Sequence, residues 1–160
     1  MEKLLLIAVL AAACFGLYGV QLDEEAAVRV LFELKHAVNR AAHAAAQQVD
    51  LEQLADGRIV FDEPAAVQAA AWYLQHNLYL DEQLMAGEGA SIKGGVDILV
   101  LEFIDDASTF PYEYTNEVYD YAVTLYRPGV ILIIEAEYQR MFSGLGPIIW
   151  QVKGAAEIVR

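Results

Sequence analysis

Cysteine is nearly absent from this chain: Cys14 is the only one in 160 residues. An intrachain disulfide is therefore impossible, no thiolate metal site of the usual kind can form, and there is no Cys-x-x-Cys-His for covalently attached haem. Positive charge is scarce too. Ten Lys and Arg against 23 Asp and Glu leave a formal charge of −13. Phosphate backbones would be repelled, so no nucleic-acid partner is expected. The acids are spread over Asp23–Glu25, Asp50–Asp56, Asp81–Glu88 and Asp105–Asp120, which describes a solvated surface and not an acidic tail. Motifs of catalysis are missing as well. There is no His-Glu-x-x-His, no Gly-x-Ser-x-Gly and no cysteine outside the apolar run to act as a nucleophile. Gly87 and Gly89 lie in MAGEGASIKGG without the Gly-x-x-x-x-Gly-Lys-Ser/Thr of a phosphate loop, so the stretch reads as an ordinary loop. The pairs Asp105/Asp106 and Glu135/Glu137 have no histidine nearby in sequence and read as solvated faces. No enzymatic activity, metal or cofactor is expected.

Hydrophobicity, by contrast, is abundant: 57% of residues are apolar, and the excess gathers at the N-terminus. Leu4 to Val20 carries no charge, and at about 1.5 Å per residue it extends ~26 Å, at the short end for crossing a bilayer. Lys3 precedes the run and Asp23, Glu24 and Glu25 follow it, which places the N-terminus in the cytoplasm and the rest of the chain outside. Ala11-Ala12-Ala13 before Cys14 supplies the small residues of a signal cleavage site and a degraded lipobox. Yet the apolar run continues past the cysteine through Phe15, Leu17, Tyr18 and Val20, and no helix breaker follows it. Retention of the segment is therefore favoured over cleavage or lipidation at Cys14.

After Gln21 the pattern becomes amphipathic. Ala27, Leu31, Leu34, Val38, Ala41, Ala45 and Val49 recur at spacings of four and three, so they fall on one stripe of a helix. The spacing predicts a single helix from about Glu2 to about Val49, ~70 Å long, greasy all round in its first half and sticky on one face in its second. His36 and His43 share nearly one helical face, but no third ligand stands at a suitable spacing, and they read as surface or interface histidines. Residues 1–49 are thus expected to form a spine helix and 50–160 a globular domain.

In that domain, Asp56-Gly57 signals a turn and Arg58–Phe61 a short strand. Asp62-Glu63-Pro64 announces a helix through AAVQAAAWYLQHNLYL, with Val67, Ala70 or Ala71, Leu74 and Leu78 as its buried stripe. VDILVLEFID, YDYAVTLY and VILIIEAEY alternate in the strand manner, and IIWQVKGAAEIV is a fourth run. Short connections at Arg127-Pro128-Gly129 and around Phe142–Gly146 predict antiparallel hairpins. The fold class expected is α+β: a long N-terminal helix on a small antiparallel sheet of four to five strands, with one further short helix. FPYEYTNEVYDY, with Tyr112, Tyr114, Tyr119 and Tyr121 among carboxylates, has two readings. It is a surface interaction patch, or an edge strand or loop whose rings cover the sheet.

This order of elements resembles type IV filament proteins, and more narrowly the TadE-like or TadG-like minor pilins and pseudopilins of tight-adherence systems. The stretches that carry the resemblance are LLLIAVLAAACFGLYGV, HAVNRAAHAAAQQVD, AAVQAAAWYLQHN, VTLYRPGVILIIEAEYQRMF and IIWQVKGAAEIV. The resemblance implies a structural subunit that polymerises through its apolar helix, with copies of itself and other pilins as partners. It implies membrane insertion before assembly, contact with a pilus assembly platform, and a final place on the cell surface or in an extracellular filament. Leu4, Leu5, Leu6, Ile7, Val9, Leu10, Cys14, Phe15, Leu17, Tyr18 and Val20 would then form the assembly interface. The charged leader ending in glycine and the glutamate five residues into the mature helix are not found in this sequence, so either the subunit assembles unprocessed, or the sequence already begins at the mature residue, or the chain stays a membrane protein. Glu2 is the only acid near the start, and it would neutralise Lys3 or a neighbouring subunit's terminal amine. The alternative from another class is a membrane-anchored or lipidated extracytoplasmic binding module that does not polymerise.

Overall fold

The computed structural model describes residues 1–159. Helix α1 runs Glu2–Ala45, followed by α2 (Leu51–Ala55) and α3 (Glu63–Leu78). Five strands complete the chain: β1 (Lys93–Ile104), β2 (Tyr112–Asn116), β3 (Tyr121–Leu125), β4 (Gly129–Tyr138) and β5 (Ile148–Glu157). The fold is α+β, as expected, with every strand pair antiparallel. The strands form two sheets, β1-β4-β5 and β2-β3.

Helix α1 is one uninterrupted helix because nothing in Glu2–Ala45 breaks it: there is no proline, and alanine and leucine dominate. At about 1.5 Å per residue its 44 residues extend ~66 Å. Its end differs from the expectation, since Val49 lies beyond the helix and bridges Phe61 instead. That single bridge is what remains of the strand expected at Arg58–Phe61. The first turn of α3 is built as its sequence demands. The Asp62 carboxylate accepts from the Ala65 amide at 3.1 Å, and Pro64 sits where a missing N–H costs nothing. Its buried stripe is Ala66, Ala70, Leu74 and Leu78, whereas Val67 is exposed.

Strand β4 is the centre of the molecule. It pairs with β1 on one side and β5 on the other. Val130, Leu132 and Ile134 turn to a core shared with α1 and α3. Ile131 and Ile133 turn to a second core under the β2-β3 hairpin. The five-residue run from Val130 to Ile134 is fully buried, so it is apolar on both faces instead of alternating. The expected hairpin at Arg127-Pro128-Gly129 is also corrected: β3 pairs only with β2, and this turn carries the chain from one sheet to the other.

The second half of α1 lies across β4 and β5, and α3 packs beside it. Small residues make this approach possible. A Cβ on Gly154 of β5 would stand 2.7 Å from Val38 Cγ1, and Ala37, Ala41, Ala42 and Ala45 are fully buried on the facing helix. Both cores therefore meet on β4, and the first fully buried residue of α1 is Asp23.

Candidate assembly and membrane segment

The first half of α1 touches almost nothing. Every residue from Met1 to Tyr18 is exposed, with Leu4 71%, Leu10 56% and Phe15 76% accessible. It is the one helix among the described residues long and apolar enough to cross a membrane. Covering a large apolar side chain stabilises by roughly 1.5–3 kcal/mol, so the group from Leu4 to Leu17 carries well over ~10 kcal/mol that the chain alone leaves unused. Of the expected assembly residues, Leu4, Leu5, Leu6, Ile7, Val9, Leu10, Cys14, Phe15, Leu17 and Tyr18 are exposed, and Val20 is half-buried. They surround the helix on all sides. Glu2 and Lys3 are exposed at its tip. Cys14 is an exposed free thiol on that same helix.

At the boundary between the two halves stands Asp23, fully buried although charged. One turn earlier, Gly19 lies on the same face of the helix. The β4–β5 connection folds onto this pair. A Cβ at Gly19 would meet the Phe142 carbonyl oxygen at 3.2 Å. Asp23 Oδ1 accepts from the amides of Met141 (2.8 Å) and Phe142 (3.0 Å), and Oδ2 accepts from Ser143 (2.6 Å) and Phe142 (3.2 Å). Burial by itself would raise the Asp23 pKa, but the Ser143 side chain and the three backbone amides outweigh it. They hold the group at about 2, below its ordinary 3.8. The carboxylate thus stays charged and serves as a clamp for a loop that has no strand pairing of its own.

Neighbouring groups reinforce the clamp. Arg140 donates to Glu24 Oε1 at 2.9 Å and to the Gly146 carbonyl at 3.2 Å. Tyr138 is buried, and burial followed by the negative charge of Asp23 pushes its phenol up, with Arg140 opposing. Outside the clamp, the loop presents Met141 (77% accessible), Phe142 and Leu145 to its surroundings. Sequence reading passed over Asp23 because it stands in an acidic triplet that looks solvated. The signal was present: stepping back four residues from Ala27 along the buried stripe lands on it.

The tyrosine segment resolves into the β2-β3 hairpin, whose rings turn onto the outer face of the main sheet. Tyr114 is buried, which corrects its reading as a surface interaction residue, and Tyr112, Tyr119 and Tyr121 are half-buried against the same core. Tyr114 donates to Glu102 Oε1 at 3.0 Å and accepts from Asn116 Nδ2 at 3.2 Å. The carboxylate pairs also have local partners: Asp106 Oδ2 accepts from the Ile59 amide at 2.6 Å, Asp105 Oδ1 from Ala107, and Glu135 Oε2 from Gln151. His36 and His43 are exposed on α1. His76 stacks on Trp72 with ring centroids 3.8 Å apart. Among the described residues no three His, Cys, Asp or Glu side chains group closely enough to hold a metal ion. Compared with protein-family models, curated proteins and solved structures, the chain gives no match.

Proposed function

We propose that this protein is a structural subunit of a type IV pilus-like filament of the tight-adherence kind, polymerising through the apolar half of α1. One observation carries the reading. A helix that is apolar on every face projects from the folded domain without a break and leaves its side chains from Leu4 to Tyr18 uncovered. Lipid can cover such a helix before assembly, and copies of the same helix can cover it afterwards, at about 25 cal/mol per Å². Gly16, Gly19 and the Ala11–Ala13 run let neighbouring helices approach closely, as small residues do in apolar bundles. The partners are copies of the chain and other pilins, with the membrane and an assembly platform engaged first. The domain lies outside the cytoplasm, consistent with Lys3 before the run and the acids after it.

Material sheared from the cell surface, viewed by electron microscopy and identified by mass spectrometry, tests the main-subunit form, which expects filaments containing this chain. A minor or priming subunit instead predicts that deletion abolishes piliation while the chain is rare in the filaments. If neither result is found, and the native chain has a diacylglycerol on Cys14 with residues 1–13 gone, the spine reading fails. The anchored binding module then replaces it.

A further inference from the structure

We infer that the β4–β5 loop, through Met141, Phe142 and Leu145, seats in the outer interface of the phospholipid bilayer that holds the apolar half of α1. The inference rests on the membrane-inserted stage of the function proposed above. Its geometric basis is continuity. The loop packs on α1 at Gly19 and Asp23, where the uncharged run ends, so a bilayer surrounding Leu4–Val20 has its headgroup boundary at the level of this loop. Tyr18, 59% exposed on the last turn of the run, marks the same level, where aromatic side chains with polar tips concentrate. At that height the loop displays three large apolar side chains, Met141, Phe142 and Leu145, within five residues. At the boundary, apolar groups bury ~5–10 Å into the headgroup and acyl region.

The loop's backbone is prepared for this. Amides of Met141, Phe142 and Ser143 would be costly facing lipid without partners, and all three donate to the Asp23 carboxylate. Asp23 therefore satisfies those donors and fixes the loop backbone against the helix, with Met141 and Phe142 left largely exposed beside it. A second contact point beside the helix also restricts how the domain tilts on its anchor, which a single helix leaves free. Zwitterionic lipid is the fitting surface, because the chain's charge of −13 disfavours an anionic one.

The test uses the full chain with Cys14→Ser, reconstituted in phosphatidylcholine vesicles. A nitrobenzoxadiazole probe is placed in turn through Leu145→Cys, Phe15→Cys and Tyr126→Cys, and quenching is read with lipids carrying a nitroxide at shallow or deep positions. Tyr126 lies beyond the opposite end of β4 from the loop, ~30 Å away by strand rise. The expected result is deep quenching at position 15, shallow quenching at 145 and none at 126. Quenching at 15 with position 145 as wet as 126 overturns the loop contact and leaves the membrane reading standing. No quenching at 15 overturns both. Adding Met141→Ser and Phe142→Ser should carry the probe at 145 into water; retained quenching there would overturn the role assigned to those two side chains.

Discussion

The two halves of α1 share one backbone and one helical geometry, yet they meet opposite environments. From Glu2 to Tyr18 the side chains are exposed on every side, whereas from Asp23 to Ala45 one stripe is buried and the other is solvated. The difference lies in the pattern and not in the propensity. Apolar residues all round a helix cannot be covered by a single small domain, while a stripe of Ala27, Leu34, Val38, Ala41 and Ala45 is as wide as one sheet and one neighbouring helix can cover. One helix can thus be a core element over one half and an uncovered apolar cylinder over the other if its amphipathicity changes along its length.

The most severe way to break the contrast is to remove one side of it. The full chain is expected to require detergent, and deleting residues 1–18, which keeps Gly19 and Asp23, should make it monodisperse in plain buffer. Analytical ultracentrifugation would show this, and a full-length chain that is monodisperse without detergent would contradict it.

Next in size comes a matched pair of truncations in α1. Leu34→Ala, in the buried half, is expected to cost ~2–5 kcal/mol of unfolding free energy, and Leu6→Ala, in the exposed half, less than ~0.5 kcal/mol in detergent. Denaturant melts of both variants measure the difference directly. Gly154→Val sharpens the same point from the sheet side. Its side chain would enter Val38, which a Cβ alone already approaches to 2.7 Å, and overpacking of this kind costs ~1–3 kcal/mol.

A smaller and more local effect is expected at the boundary. Asp23→Asn offers one acceptor oxygen where three amides donate, so the β4–β5 loop should open and trypsin should cut after Arg140 faster than in the parent chain. The pH dependence follows from the lowered pKa. Because the folded value is about 2 against an ordinary 3.8, the clamp contributes fully above about pH 4 and is lost as pH falls through about 2. A fall in the protection of the Met141, Phe142 and Ser143 amides, measured against their intrinsic exchange rates, is expected over that window and not between pH 5 and 8.

The smallest change is Tyr114→Phe. Burial pushes this phenol's pKa up, yet its hydrogen bond to Glu102 reaches an exposed carboxylate. Its loss should cost about 0.5–1.5 kcal/mol in a thermal melt, with no change in the behaviour of α1.

Much of this was legible in advance, for reasons that are local. The long helix, its change of character near Gln21 and the cap at Asp62 follow from period, composition and short-range hydrogen bonding. What escaped sequence reading is non-local. Val130–Ile134 shows apolar residues without saying that two cores lie on either side, and nothing near Arg127 says that β3 and β4 belong to different sheets. The tyrosines admit an outward and an inward reading until the main sheet supplies a surface for Tyr114 to cover.

By itself, then, the sequence determined an α+β chain with an apolar anchor-like helix, because hydrophobic period and turn chemistry act over a few residues. Only the tertiary structure decided where that helix leaves the domain. An acidic residue in a solvated-looking triplet becomes a buried clamp once three amides from a loop more than a hundred residues later converge on it. The charge of Asp23 is written in the chain, but its partners are brought to it by the pairing of β4 with β5.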